Sequence, residues 1–397
     1  MAEGQKPKVA FFIFRSPEEA EQLTGGTQSN LALLSNLPEH DVLVIANAHD
    51  ILEKELARRN IQCFVLNERD LSWANVRKNL PTLVKRVGKV LRYNARVAAL
   101  CVREGVDVLQ CDEAALLFVG PGAKLSGSKL VAAYRNHPGV LPPMNVAYKI
   151  AMPLVDRMVA TSELLKKAVV DQGWGNPAAR IERIYNGIDV QKVNMEVATR
   201  DRAEERRSRG IKEGEVAIGV IGTIVNFKLQ VPLLKEVIVP HAGEFRKAGA
   251  RFHFLGGIKS DAYAQECRDI VEQQGVGDLV IWHGYIADMT PWYVALDLVA
   301  FPAPEGTART LLEAAAFGVP AVARQTSREV VPHGENGFLC AEVVDLGAPL
   351  VELSNNVELR KKMSARGKEI ASERFDIHKN RAAYAAIYAK LIGRGKS

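Results

Sequence analysis

The chain has 397 residues, 47% of them apolar and 25% charged, with a formal net charge of +6. That length exceeds one ordinary hydrophobic core, so two domains are expected, and the composition is that of a soluble globular protein. No apolar run approaches a membrane-spanning helix, and the modest positive charge allows anionic partners without demanding them.

In chain order, the first strand candidate is Val9–Phe14. Its apolar stretch is too short for the core of a signal peptide and leads at once to Arg15 and a Glu-rich turn, so a cytoplasmic protein is expected. Next comes Thr24-Gly25-Gly26-Thr27-Gln28-Ser29-Asn30, a glycine-rich turn opening a helix. Gly26 and Thr27 could there bring a ligand close to backbone amides, although a plain tight turn has the same look. Further strands are expected at Val42–Ala46, Cys63–Leu66, Val108–Gln110, Leu130–Tyr134 and Arg157–Ala160. Between them, the helix from Arg77 to Arg103 carries eight basic residues and no acidic one, with Lys85, Lys89, Arg92 and Arg96 at helical spacing. Val87, Val90 and Leu91 are expected on its other side. The basic row reads either as a face for anionic lipid or a phosphorylated acceptor, or as ordinary solvated surface. His137 follows a strand in Tyr134-Arg-Asn-His137-Pro138.

The stretch Gln191–Glu215 carries both signs of charge and little apolar surface. It reads as a solvated helix or connector and marks the boundary between a domain over 1–190 and one over 191–375, before a closing amphipathic helix within 376–397. Second-half strands are expected at Ala217–Gly222, Arg251–Leu255, Val280–His283, Leu298–Phe301 and Ala321–Ala323. Most strands in both halves are continuous apolar runs alternating with helices, the signature of α/β, doubly wound parallel sheets whose ligands sit beyond the carboxyl ends of the strands. Val220-Ile-Gly222-Thr223-Ile-Val-Asn-Phe-Lys228 puts a lysine just past one such end, where it can act as a point charge on a diphosphate. Phe301-Pro-Ala-Pro-Glu305-Gly306-Thr-Ala-Arg-Thr310-Leu-Leu-Glu313-Ala-Ala-Ala-Phe-Gly318-Val-Pro320 reads as strand, loop, helix and turn. Glu305 then stands in the loop and Glu313 two turns into the helix, so the pair could grip a sugar and a ribose separately. Five widely spaced cysteines without a C-x-x-C pair suggest buried free thiols. His241, His253, His283 and His333 lack clustered partners in sequence and read as structural.

These segments resemble the retaining glycosyltransferases of the GT-B fold, specifically glycosyltransferase family 4, whose Glu–seven residues–Glu motif precedes a small-residue helix and a Gly-x-Pro turn. The match covers almost the whole chain, specifically in the second half and loosely in the first. It implies two Rossmann-like, doubly wound domains facing across a cleft, with acceptor bound by the first and nucleotide-sugar by the second. It further implies that Glu305 contacts donor-sugar hydroxyls, Glu313 the ribose, and the amides of Gly306, Thr307, Ala308, Arg309 and Thr310 the phosphates and sugar. Lys228 matches the family lysine, but Thr223, after Gly222, stands where the family has arginine, and Leu229 replaces the usual glycine. Arg309 is a candidate substitute for the missing cation. Gly26 and Thr27 would lie opposite the donor phosphates, His137 would hydrogen-bond the donor sugar, and Tyr285 and Ile286 would lie near the nucleobase.

The implied activity is transfer of a sugar from a nucleotide-diphosphate sugar, UDP- ahead of GDP-, to a hydroxyl acceptor (saccharide, lipid-linked or small molecule) with retention. No cofactor or metal is expected. The rivals are a catalytically weak sugar-nucleotide-binding protein and an epimerase of the same fold. Nucleic acid is not an expected partner, because the basic helix lacks interleaved aromatics. Peripheral contact with an anionic membrane through the 77–103 helix is the other expected partner.

Overall fold

The computed structural model describes residues 6–16, 21–35, 37–68, 80–135, 150–173 and 177–393. The chain divides into two compact units, one of residues 1–187 with 377–397 and one of residues 188–376.

In the first unit, β1 (Lys8–Ile13), β2 (Asp41–Ala46), β3 (Gln62–Val65), β4 (Val108–Asp112), β5 (Lys129–Tyr134), β6 (Arg157–Ala160) and β7 (Ile181–Arg183) form one parallel sheet ordered β3-β2-β1-β4-β5-β6-β7. Central strands such as β1 and β5 are buried along nearly their whole length, so their apolar runs cover both faces. The helices that flank the sheet include α1 (Gly25–Leu34), α2 (Ile51–Arg58), α3 (Leu80–Glu104), α4 (Leu116–Leu125) and α5 (Glu163–Gln172). β7 was missing from the sequence reading because its three residues, Ile-Glu-Arg, offer a single buried apolar side chain at the sheet edge.

The basic helix differs from expectation. α3 turns Tyr93, Val97, Leu100 and Cys101 into the core, whereas Val87, Leu91 and Val102 are exposed, Leu91 by 63%. An apolar stripe therefore lies on the open surface beside Lys85, Arg92 and Arg96 instead of opposite them. Lys89 has an acidic neighbour after all, Glu68 at 3.6 Å.

The second unit opens with α6 (Val190–Thr199) and α7 (Arg202–Ser208), followed by β8 (Val216–Ile221), β9 (Ala250–Leu255), β10 (Val280–Gly284), β11 (Leu298–Phe301), β12 (Ala321–Arg324) and β13 (Gly337–Cys340). These six strands are parallel in the order β10-β9-β8-β11-β12-β13. β13, Gly-Phe-Leu-Cys, is a second short edge strand that escaped the reading. A helical stretch over residues 230–238 and helices α8 (Ala242–Lys247), α9 (Asp261–Gln273), α10 (Thr290–Ala295), α11 (Arg309–Phe317), α12 (Gly347–Asn355) and α13 (Val357–Arg374) flank this sheet.

The charged stretch after residue 191, read as a solvated helix or connector, forms the helices α6 and α7. α7 buries no side chain whole, yet it is docked on the end of α10 by its arginines. Arg202 donates to the carbonyls of Val294 and Leu296 at 2.7 and 3.0 Å, and Arg206 to that of Ala295 at 2.8 Å. Both also pair with Asp297, at 2.7 and 2.8 Å. The cations satisfy the carbonyls that a helix end leaves open.

Chain order then reverses. The last helix, α14 (Ile377–Gly393), belongs to the first unit, where Tyr384, Ile387, Tyr388 and Leu391 enter the core formed by β1, β2 and α1.

The cysteines are free, Cys63 half-buried and the other four buried. Burial pushes the thiols of Cys63 and Cys267 up to about 12, which keeps them protonated and inert.

His253 and His283 are clustered, contrary to the sequence reading. Glu215 accepts from His253 Nε2 at 2.8 Å, and His253 Nδ1 lies 3.0 Å from His283 Nε2. Arg251 faces Glu215 at 3.4 Å, and Trp292, itself under Arg209, packs 4.4 Å from the His283 ring. Burial first, then His253 and Arg251, lower His283 to about 4 from its ordinary 6.5. Between those values the unfolded chain binds more protons than the folded one, so stability falls as pH drops through that window. Allowing for screening at this half-exposed ring, the loss between pH ~7.5 and ~5 is about 1 kcal/mol. Urea unfolding at the two pH values should reveal it, and His283→Gln should remove most of it. An unchanged pH dependence in the variant would refute the assignment.

Candidate functional site

In the second unit the strand order reverses between β8 and β11, the switch point at which an open α/β sheet leaves a crevice beyond its carboxyl ends. The two motifs with most chemistry follow those two strands. After β8 the backbone turns at Gly222, whose φ of 143° is open to glycine alone. A Cβ on the neighbouring Gly256 would stand 1.9 Å from the Gly222 oxygen, so the strand ends meet backbone to backbone. The loop from Thr223 runs into a single 3₁₀ turn, Asn226–Lys228. Buried Gln230 fastens it by donating to the Thr223 carbonyl at 2.9 Å.

The Lys228 side chain folds back past Gly222 and crosses to the other motif, where its ammonium stands 2.5 Å from Glu305 Oε1. The aromatic face of Phe301, the last residue of β11, lies 5.6 Å from that ammonium. The Glu305 backbone is held from the far side by Ser327, a fully buried residue after β12 whose hydroxyl donates to the Glu305 carbonyl at 2.7 Å. The carboxylate is therefore aimed by a fixed main chain. Beyond it, Gly306, Thr307 and Ala308 lead into α11, which has no side-chain cap, so its first turn carries the partial positive charge of a helix N-terminus.

Within α11, Glu313 accepts from Arg309 Nε at 2.8 Å and from the hydroxyl of Tyr293 at 3.0 Å. Thr310 contributes its carbonyl to the same tyrosine at 3.3 Å. Tyr285 is exposed by 42% in the loop after β10, and Ile286 beside it is half-buried.

One departure is visible in the backbone. Leu229 takes φ 59° and ψ 35°, the left-handed region, at the position where the family pattern places glycine. A side chain there costs about 1–2 kcal/mol, offset here by packing of Leu229 against the unit's core. Leu229→Ala, which keeps the strain and loses the packing, should be about 1 kcal/mol less stable than Leu229→Gly in urea unfolding. Equal stabilities would mean that the loop relaxes out of the left-handed geometry.

The first unit has its own polar cluster at its switch point, between β1 and β4. Gly26 and Thr27 lie in the first turn of α1, and the Thr24 hydroxyl accepts from the Thr27 amide at 3.4 Å. Buried Arg15 donates to the Thr27 hydroxyl at 3.3 Å and to Asp50 at 2.6 Å. Arg135 joins Asp112 (2.9 Å), Asn30 (2.6 Å) and Asn186 (2.5 Å). His137 lies outside the described residues.

The structure thus brings together Gly222, Thr223, Lys228 and Glu305, and places Arg309 and Glu313 on the adjoining helix. Sequence reasoning missed Ser327, Gln230, Tyr293 and Arg135. The signal for Arg135 was its place at a strand's carboxyl end; nothing local marks the other three.

Two family models match the chain: "Glycosyltransferase Family 4" over residues 25–192 and "Glycosyl transferases group 1" over residues 215–356. The lipopolysaccharide core biosynthesis mannosyltransferase LpsB of Rhizobium meliloti is 28% identical over 222 residues, which are 53% of this chain and 60% of that protein. A glycosyltransferase of Rickettsia africae superimposes with a TM-score of 0.79 at 14% identity, covering 98% of this chain and 99% of the other. Anabaena Alr3699/HepE, solved with UDP and glucose, does so with a TM-score of 0.75 at 18% identity, covering 96% and 99%. The paired parallel sheets have the GT-B architecture of these structures. With both halves matched and the lysine and glutamate of the motifs in contact, the chain belongs to the group 1, family 4 glycosyltransferases.

Proposed function

We propose that this protein transfers a sugar from a nucleoside-diphosphate sugar, UDP- ahead of GDP-, to a hydroxyl of a saccharide or lipid-linked acceptor, with retention of configuration. The observation that carries the reading is the contact of Lys228 with Glu305 at the switch point, next to the uncapped start of α11. HepE, bound to UDP and glucose, supports the donor class, and the relative named for lipopolysaccharide core biosynthesis supports a saccharide acceptor.

In this reading the bond from the sugar's C1 to the β-phosphate oxygen breaks, and its electron pair stays on that oxygen. Lys228 and the helix-end amides stabilise the departing charge, which is the task for which preorganised donors are most effective. The acceptor oxygen forms the new bond to C1 on the same face and passes its proton to the departing phosphate. Glu305 grips donor-sugar hydroxyls, and Tyr285 and Ile286 border the base. In the first unit, Gly26 and Thr27 at the start of α1 are further donor-phosphate contacts in this reading, and His137 a donor-sugar contact. The protein's own cations do the work of a metal, so excess EDTA should leave turnover unchanged; an activity abolished by EDTA and restored by magnesium would overturn that part.

The test is calorimetry with UDP-, GDP-, ADP- and dTDP-sugars on wild-type protein and Glu313→Ala, followed by an acceptor screen read by diphosphate release. Tight binding of one nucleotide class and acceptor-dependent release are expected. Binding without release would favour the binding-protein alternative, and a changed sugar without transfer would favour the epimerase.

The exposed stripe of α3 adds a partner to the proposal. Val87, Leu91 and Val102 beside Lys85, Arg92 and Arg96 suit the headgroup region of an anionic membrane, although among the described residues no helix is long and apolar enough to cross one. Co-sedimentation with phosphatidylglycerol vesicles should fall about 10-fold in Leu91→Glu and in Arg92→Glu/Arg96→Glu, with little binding to phosphatidylcholine.

A further inference from the structure

Arg309 has a donor group that the contacts described so far leave unused. Its Nε is committed to Glu313, and Glu313 is itself held by Tyr293, which is buried and stacked 5.3 Å from Phe317. Burial, and then Glu313, raise the tyrosine hydroxyl well above its ordinary value, so it keeps its proton and remains a donor. The guanidinium plane is thereby fixed at the start of α11, four residues after Glu305. Its Nη1 is buried with no hydrogen-bond partner. An unsatisfied buried donor costs about 1–3 kcal/mol, more when charged, and in a native protein such a group calls for an explanation.

Charge balance supplies one. Lys228 is matched by Glu305 and Arg309 by Glu313, so the four groups sum to zero, while a nucleoside diphosphate brings two or more negative charges. Thr223 adds no cation at the end of β8. The guanidinium of Arg309, with several donors in a rigid fork, can keep its carboxylate and still bind phosphate oxygens alongside Lys228. Each oxygen of Glu313, meanwhile, already accepts one hydrogen bond from within the protein.

We infer that Arg309 is the second diphosphate ligand of the donor site, in place of an arginine at position 223, and that Tyr293 and Glu313 act on the nucleotide by orienting it. This rests on the donor-site reading above. Tyr293 and Glu313 are positioning residues in this arrangement.

The test is calorimetry of UDP and uridine, with GDP and guanosine as a parallel series, on wild type, Arg309→Gln, Arg309→Lys, Tyr293→Phe and Arg309→Gln/Thr223→Arg, each checked for folding by thermal melting. Arg309→Gln should weaken the diphosphate by about 10–100-fold and leave the nucleoside unchanged. Arg309→Lys should fall between, Tyr293→Phe should weaken the diphosphate by a few-fold with the nucleoside again unchanged, and the added arginine at 223 should restore about 10-fold. Equal losses for diphosphate and nucleoside, or a diphosphate affinity untouched by Arg309→Gln, would overturn the inference while leaving the donor site standing. If wild-type protein binds neither diphosphate, the donor-site reading falls and takes this one with it.

Discussion

Lys228→Ala should lower the rate of acceptor-dependent diphosphate release by about 10²–10³-fold, the usual consequence of removing one preorganised donor from a developing oxyanion. Two effects add. The departing phosphate loses its point charge, and Glu305, 2.5 Å from that ammonium, is left as an uncompensated negative charge in the same crevice. The second effect makes a cycle informative. Glu305→Gln alone should also cost about 10²-fold or more, since it weakens the grip on sugar hydroxyls. The double variant Lys228→Ala/Glu305→Gln should be far less impaired than the product of the two, because the glutamine no longer repels the phosphate. Purely multiplicative losses would show that the two residues act separately and that their contact is incidental.

A second large effect is expected far from the chemistry. Tyr388→Ala should destabilise the first unit by about 3–5 kcal/mol, the cost of truncating a fully buried aromatic in a packed core. The ring packs between His40 and Tyr384, with centroids 5.4 and 6.1 Å away, and its hydroxyl donates to buried Gln110. Tyr388→Phe should cost about 1–2 kcal/mol, because Gln110 Oε1 loses its donor in a site where Gln110 Nε2 already has no partner. Hydrogen exchange followed segment by segment in urea gives the readout. Protection in β1 and β4 should fall and that in β8 and β11 should hold. Parallel losses in both sheets would mean that the units unfold as one.

Much of this was legible in the sequence, for a physical reason. Parallel strands buried on both faces must be continuous apolar runs, so eleven strands were placed within a residue or two. β7 was not, because its three residues carry one buried apolar side chain, and β13 was missed although β3, an edge strand of the same four residues' length, was placed. Glu305, Lys228 and Glu313 were legible because a strand end, a loop and a helix start are local signals. Ser327 and Tyr293 reach them from other strands and helices, and no local pattern records that. The His253–His283 pair shows the limit well. The register of β9 and β10 sets His253 opposite Ile281, so His283, two residues on, projects from the same face; thirty residues apart in sequence, they looked isolated. For α3 the helix itself was legible, but helical spacing alone could not say which apolar row meets the core. Tyr93 and Val97 take that place, and Leu91 is left outside.

The return of α14 to the first unit also has a bearing on how the protein is made. Residues 188–376 form one unbroken segment that can close as soon as it leaves the ribosome, whereas the earlier residues must wait for the chain's last helix. At about 5–20 residues per second, that wait is roughly 10–40 s, during which the apolar surface meant for Tyr384, Ile387 and Tyr388 stays open. The half made first is therefore the half finished last, and it is the one that stands to gain from a chaperone during synthesis.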